Sequence, residues 1–366
     1  PISIFKVKEG ISYNKEDPNY DLFRLACKVS AKRLFPNFSF LDSSFNKAFL
    51  DGDYRSEVAY MGCRTRVLAN VCGPSITPGR GNLSFSTLNL PRLGIKYGIA
   101  LEERTKADMD GFYAELSDVL ELIKGQLLQR FDHQCSKTKS NFKFLLGSGV
   151  WIDSDKLEYN SKLRKVLKHG TLSIGFIGLA ECLKALVGEH QGESEKAQKL
   201  GIEIVKFMRE KCDKFAEEEK LNFTLLATPA EGLAGRFTAI DKSIYGVLKG
   251  ITDRDYYTNS FHVPVYFKTT IQHKLEVEGK YHKYTNAGHI SYIELDGDTV
   301  NNIDAFETII RMMHDNDIGY GAINHPVDRD PVCGYVGIIK DTCPRCGRRE
   351  GEGVEMEVIN NFNCGC

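Results

Sequence analysis

Apolar side chains recur along this chain in alternating helical and strand patterns. Over residues 20–34, Leu22, Phe23, Ala26, Val29 and Ala31 fall on one stripe, which predicts a helix that Pro36 stops. Residues 38–41 read as a short alternating strand and 85–90 as another. Between them, Asp51-Gly52-Asp53, Cys72-Gly73-Pro74 and Pro78-Gly79-Arg80-Gly81 mark turns and a long loop. The spacing of Phe112, Leu116, Val119, Leu120, Ile123 and Leu127 predicts an amphipathic helix over 110–131. Residues 172–177 form a buried-type strand running through Gly178 into a helix over 179–186. Ser194 is placed to cap a long helix with Ala197, Leu200, Ile204, Phe207 and Phe215 inward. Strands follow at 222–227, 262–267 and 289–295. A last helix over 303–314 buries Phe306, Ile309, Ile310 and Met313. Strands alternating with long helices predict an α/β protein with parallel pairings. From about Gly319 the composition turns to Gly, Pro, Asp and Cys, the mark of a small separate module.

Composition narrows the classes. The chain has 366 residues, 42% of them hydrophobic, with 48 lysines and arginines against 49 acids. That balance gives no chain-wide field for a nucleic-acid polymer, though basic side chains could cluster at one small anion. No signal peptide is evident. The longest apolar stretch, 172–187, is interrupted by Glu181 and Lys184 and is too short to span a membrane. With eleven cysteines and no secretory signal, a reduced, cytoplasmic compartment is expected.

Four stretches carry candidate chemistry. In Tyr60-Met61-Gly62-Cys63-Arg64-Thr65-Arg66 a cysteine sits in a glycine-flanked loop beside two arginines, and positive charge favours a thiolate. The alternative is a small packed thiol, the reading that suits Cys27, Cys135, Cys182 and Cys212. At Thr228-Pro229-Ala230-Glu231-Gly232 a strand ends with Thr228 at an N-cap position and Pro229 at the first helical position. This is either a good cap or an anion site, since free amides and the helix dipole suit phosphate. Gly175 and Gly178 permit close backbone approach, by a ligand or by a neighbouring strand. Their spacing is not the dinucleotide fingerprint. Finally, Cys343-Pro344-Arg345-Cys346-Gly347 is half of a zinc knuckle, with Cys333 ten positions earlier and Asp330 where a first cysteine would stand. Cys333, Cys343, Cys346 and Cys364 are the expected metal ligands, with Cys366, His325 or Asp330 able to take the fourth place. The module has too few apolar residues to fold without such a staple.

Together these stretches resemble the anaerobic, class III ribonucleotide reductase family of glycyl-radical enzymes. The resemblance rests on Met61-Gly62-Cys63-Arg64-Thr65, Gly79-Arg80-Gly81-Asn82-Leu83, Leu88-Asn89-Leu90-Pro91-Arg92 and the Ser173-to-Glu181 stretch. The Thr228-to-Phe237 stretch, Tyr257-Thr258-Asn259-Ser260-Phe261-His262-Val263-Pro264, Gly288-His289-Ile290-Ser291-Tyr292 and the cysteine module add to it. It implies a ten-stranded α/β barrel with a central finger loop near 55–82, occupying 1–318, and a zinc module over 319–366. It also implies that Cys63 becomes the thiyl radical that takes the ribose 3′-hydrogen, after which the 2′-hydroxyl leaves as water. Asn82 matches the asparagine of the formate-using branch, so formate is the expected reductant. Thr65 with Thr228, Pro229, Ala230, Glu231 and Gly232 would bind substrate. The implied partners are ribonucleoside triphosphates, dNTP and ATP effectors, a radical-SAM iron–sulfur activating enzyme and a second copy in a homodimer.

Parts of the family pattern are not in this sequence. They are the regulatory cone, the barrel half that carries a second active-site cysteine, and the glycyl-radical box. The chain is therefore expected to be a large carboxyl-terminal portion of a longer protein, inactive alone, with its radical glycine elsewhere. Val332-Cys333-Gly334-Tyr335-Val336-Gly337 superficially resembles that box, but Cys343 and Cys346 follow it at metal spacing. Two rival readings are a glycyl-radical lyase, which needs no phosphate site, and a non-catalytic zinc-ribbon binding protein.

Overall fold

A computed structural model describes residues 2–62, 64–295, 297, 299–339, 341–349 and 353–358. Cys63, Cys364 and Cys366 lie outside the described residues. In chain order the elements begin with β1 (Ile4–Val7), α1 (Tyr20–Arg33), β2 (Asn37–Phe40), α2 (Ser44–Lys47), β3 (Ala59–Met61), β4 (Thr65–Val67) and β5 (Asn82–Asn89). Next come α3 (Leu90–Tyr97), α4 (Met109–Cys135), α5 (Arg164–Leu167), β6 (Thr171–Ile177), α6 (Leu179–Val187), α7 (Glu195–Glu219), β7 (Asn222–Ala227) and α8 (Gly232–Tyr245). The chain continues through α9 (Ile271–His282), β8 (Ser291–Glu294), α10 (Ile303–Asp315), β9 (Tyr320–Asn324), β10 (Asp328–Arg329), β11 (Val336–Gly337) and β12 (Glu357–Val358).

The chain divides into two compact units. The larger, residues 44–289, holds the parallel sheet β5-β6-β7. On one face of that sheet, Leu172, Ile174 and Phe176 of β6 join Phe112, Leu116, Leu120 and Leu127 of α4 in one core with Ile204, Met208 and Phe215 of α7. The predicted stripe of α4 is thus the buried one. Ser194 caps α7 as expected, its Oγ accepting the Ala197 amide at 3.2 Å.

The smaller unit, residues 1–43 and 290–363, carries the sheet β1-β2-β9-β8 and the small sheet β11-β10-β12. Phe23 of α1, Phe38 of β2 and Phe306, Ile310 and Met313 of α10 fill its core. Leu22 and Val29 of the predicted α1 stripe are exposed.

Four sequence expectations change. Residues 37–40 do not alternate: all four are buried, because this strand is internal to its sheet. Residues 262–267 are not a strand. They form a loop buried at His262, Val263 and Pro264 and exposed at Val265 and Tyr266, and the Phe261 and His262 carbonyls at its start accept the Gln191 amide, at 2.9 and 2.8 Å. Thr228 does not cap α8. The chain stays extended to Ala230, Glu231 takes a left-handed φ of 44°, and the helix starts at Gly232. Nor do the described residues close a ten-stranded barrel: β5 has no strand on its outer edge among them.

Candidate active site and metal centre

The second face of the parallel sheet is polar. Alternation along β6 turns Thr171, Ser173 and Gly175 away from the apolar core. The Asn82 amide donates to Thr171 Oγ1 at 3.0 Å and to Ser173 Oγ, and Ser173 Oγ lies 3.0 Å from Thr224 Oγ1. At the other end of the sheet Thr87 and Thr228 hydroxyls meet at 3.1 Å. Gly175 makes room there, since a Cβ would lie 2.0 Å from Thr228 Oγ1. The close approach is by a neighbouring strand end, one of the two readings the glycine allowed.

The hairpin β3-β4 pairs Ala59 with Val67, Tyr60 with Arg66 and Met61 with Thr65. It is tied to the sheet through Gly288, which bridges Thr65 on one side and Leu226 on the other. Arg66 N donates to Ala287 O at 2.6 Å, and Ala227 N to Gly288 O at 3.0 Å. Arg64 is fully buried and its guanidinium donates to the Thr228 carbonyl at 3.3 Å. Arg64 and Thr65 therefore lie at the Thr228 end of the sheet. Asn82 stands at the opposite end, separated by the seven residues of β6, roughly 20 Å along the strand. The described sequence-predicted residues of this unit do not form one tight cluster: Asn82 lies at one end of the polar face, and Thr65 and residues 228–232 at the other.

Residues 228–232 are held by groups that sequence reasoning did not single out. Asn259 Oδ1 accepts the Ala230 amide at 3.0 Å. Thr258 donates to Glu181 Oε1 through its amide at 2.9 Å and its hydroxyl at 2.6 Å. Burial raises the Glu181 carboxyl above its ordinary value, and the Thr258 bonds pull it partway back. Asp241 of α8, fully buried, accepts from Asn89 at 2.7 Å, Tyr257 at 2.9 Å and Arg92 at 2.6 Å. The signal was present in Tyr257-Thr258-Asn259-Ser260, but spacing alone could not pair it with Glu181 or Ala230. The Gly232 amide, at the start of α8, has no hydrogen-bond partner among the described residues.

Cys27, Cys135, Cys182 and Cys212 are buried free thiols, as their helical spacing suggested. Burial pushes them up, to about 12 for Cys27 and about 11 for Cys135. They are poor thiolates.

In the smaller unit Asp330, Cys333, Cys343 and Cys346 place one ligand atom each within 4.8 Å of one another. Cys333 and Cys343 sulfurs lie 3.6 Å apart, and Cys346 Sγ lies 3.2 Å from Asp330 Oδ2. His325 is engaged elsewhere, its Nε2 lying 3.2 Å from Ser30 O. Among the described residues no helix is long and apolar enough to cross a membrane.

A parallel sheet with one hydroxyl-lined face and a hairpin tied to its strand ends defines an α/β protein of the type found in glycyl-radical enzymes. Solved structures agree on the fold. An anaerobic ribonucleotide reductase from Thermotoga maritima with MES in the active site matches at TM-score 0.68 and 18% identity, over 99% of this chain and 54% of that one. A Roseburia inulinivorans protein of 1,2-propanediol dehydration matches at TM-score 0.64 and 10% identity, over 88% of this chain and 47% of that one. The model of the anaerobic ribonucleoside-triphosphate reductase family matches residues 1–360, and the chain belongs to that family. It is 32% identical to the Escherichia coli (strain K12) anaerobic ribonucleoside-triphosphate reductase, over 97% of this chain and 49% of the relative. It is 31% identical to the enzyme of Enterobacteria phage T4, over 100% of this chain and 58% of the relative. The chain thus spans about half the length of the curated relatives it matches.

Proposed function

We propose that this chain is the part of an anaerobic ribonucleoside-triphosphate reductase that presents Cys63 to the substrate ribose. The carrying observation is the hairpin: Cys63 falls in sequence between the paired Met61 and Thr65, and Thr65 is held at the sheet end by Gly288. As a thiyl, Cys63 would take the 3′-hydrogen. The 2′-hydroxyl would leave as water, with formate supplying two electrons and leaving as carbon dioxide. The ribose would react at the Thr228 end, with Asn82 and the Ser173 and Thr224 hydroxyls farther along the same polar face, toward the opposite strand end. The phosphates would lie toward Thr65, Thr228, Pro229, Ala230, Glu231 and Gly232, where the Gly232 amide and the α8 dipole favour negative charge. Because the Ala230 amide is bonded to Asn259, that residue would shape the loop without donating to phosphate.

Within the longer protein the parallel sheet would form part of a ten-stranded barrel. The radical that generates the thiyl would come from a glycine and a radical-SAM activating enzyme outside this chain, and dNTP or ATP effectors and a second copy would regulate it. Three thiols within 4.8 Å of one another fit zinc, which when bound would crosslink residues 330–346 and let the module fold with little apolar core.

The test is the Cys63→Ala variant of the full-length protein, activated anaerobically with formate and a ribonucleoside triphosphate. No deoxyribonucleotide should form, although the glycyl radical still appears by electron paramagnetic resonance. Turnover at the wild-type rate would remove Cys63 from the chemistry.

A further inference from the structure

The cysteine module is built as two copies of one turn, thirteen positions apart. Gly334 N donates to Asp330 O at 2.8 Å, and Gly347 N to Cys343 O at 2.9 Å. Asp330 N donates to Tyr335 O at 2.9 Å, and Cys343 N to Arg348 O at 2.8 Å. Gly334 and Gly347 both take left-handed backbone, with φ of 71° and 76°. The Asp330 side chain fits the place of a turn-heading ligand: its Oδ1 receives the amides of Val332 at 2.8 Å and Cys333 at 3.4 Å. Asp330 therefore occupies the place that a ligand thiolate occupies in the other turn.

We propose that Asp330 is the fourth ligand of the metal, giving one carboxylate and three thiolates, and that neither Cys364 nor Cys366 is needed. This rests on the zinc reading above and specifies its donor set. Tetrahedral zinc with Zn–S of about 2.3 Å and Zn–O of about 2.0 Å sets S···S near 3.8 Å and S···O near 3.5 Å. The observed 3.6 Å between Cys333 and Cys343, and 3.2 Å between Cys346 and Asp330, lie close to those edges. Arg348 bonds Asp330 Oδ1 at 2.8 Å and reaches both carboxylate oxygens through Nε at 3.3 Å, which fixes the carboxylate with Oδ2 also 3.2 Å from the Cys346 sulfur. An Asp330–Arg348 ion pair alone would account for the carboxylate. It would not account for three thiols drawn around its second oxygen. A carboxylate in place of one thiolate makes the shell harder, so it discriminates less strongly in favour of soft metals than a four-sulfur shell does.

The experiment is X-ray absorption at the metal edge on the full chain, purified anaerobically and reconstituted with zinc, together with chelator competition. Wild type should show three sulfurs and one oxygen, and Asp330→Cys four sulfurs. Arg348→Ala, which leaves all four donors in place, should lose about 10- to 100-fold in affinity. A four-sulfur shell in wild type overturns the assignment while leaving the zinc module intact, as does an Asp330→Ala protein with wild-type shell and affinity. A wild-type protein that takes up no zinc overturns both this assignment and the zinc reading on which it rests.

Discussion

Replacing Gly288 by alanine tests how the finger hairpin is held. Gly288 has φ of 140°, and a Cβ there would stand 2.0 Å from Arg64 O and 2.8 Å from Thr65 Cα. Both neighbours are backbone, so no side chain can rotate away; the hairpin must retreat by more than about 1 Å to reach ordinary contact. The strained φ costs about 1–3 kcal/mol. Retreat also stretches the bond from Arg66 N to Ala287 O, worth about 0.5–1.5 kcal/mol. The expected loss is about 1.5–4.5 kcal/mol for the larger unit. Trp151, the single tryptophan, is buried in that unit's core, so its fluorescence during urea unfolding reports the change. Gly125→Ala is the control: it lies in α4 with nothing within 4 Å of a new Cβ, and should gain about 0.5–1 kcal/mol. If Gly288→Ala costs less than about 1 kcal/mol, the hairpin is not fastened as described.

The other predictions concern Asp241, Asn259 and Glu181, of which Asn259 bonds residues 228–232 directly. Asp241→Asn, which leaves the half-exposed Arg92 without its charge partner, should cost about 2–4 kcal/mol in the same unfolding assay. Asn259→Ala leaves the Ala230 amide without its acceptor, costing about 1–3 kcal/mol; equilibrium dialysis should show weaker ribonucleotide binding. Glu181 sets a pH dependence. Its folded value is raised, so the unfolded chain releases the proton first, and stability falls as pH rises through the ordinary 4.5 and levels above the folded value. Glu181→Gln removes that fall, so the variant should gain on wild type with rising pH when urea midpoints are compared.

The long helices were legible because one stripe of each had a single destination. Phe112, Leu116, Leu120 and Leu127 all meet the apolar face of the parallel sheet, and no other arrangement would bury them together. The 262–267 run misled because its residues suit a strand, yet its backbone bonds to side chains: Gln191 to Phe261 and His262, and Glu278 to the Val263 amide. Such pairings join residues about 15 to 70 positions apart, which periodicity does not encode. The Thr-Pro pair at 228–229 misled for a related reason. A cap signature states what a helix start prefers, while here the loop answers to Asn259 and Thr87. In the cysteine module, spacing located Cys333, Cys343 and Cys346, but placing Asp330 beside them needed the backbone bonds of both turns.

One face of the parallel sheet explains why the site could be recognised at all. A parallel sheet ordinarily buries apolar side chains on both faces, as β6 does toward α4 and α7. Its other face instead carries Asn82, Thr171, Ser173, Thr224, Thr87 and Thr228, which satisfy one another through hydroxyl and amide bonds. An unpaired buried hydroxyl costs about 1–3 kcal/mol, whereas a mutually bonded set is close to neutral. The face can therefore stay polar without a stability penalty, but it gains nothing over an apolar one. Stability alone would not select it. A requirement to meet a polar molecule would, which is the role proposed for this face.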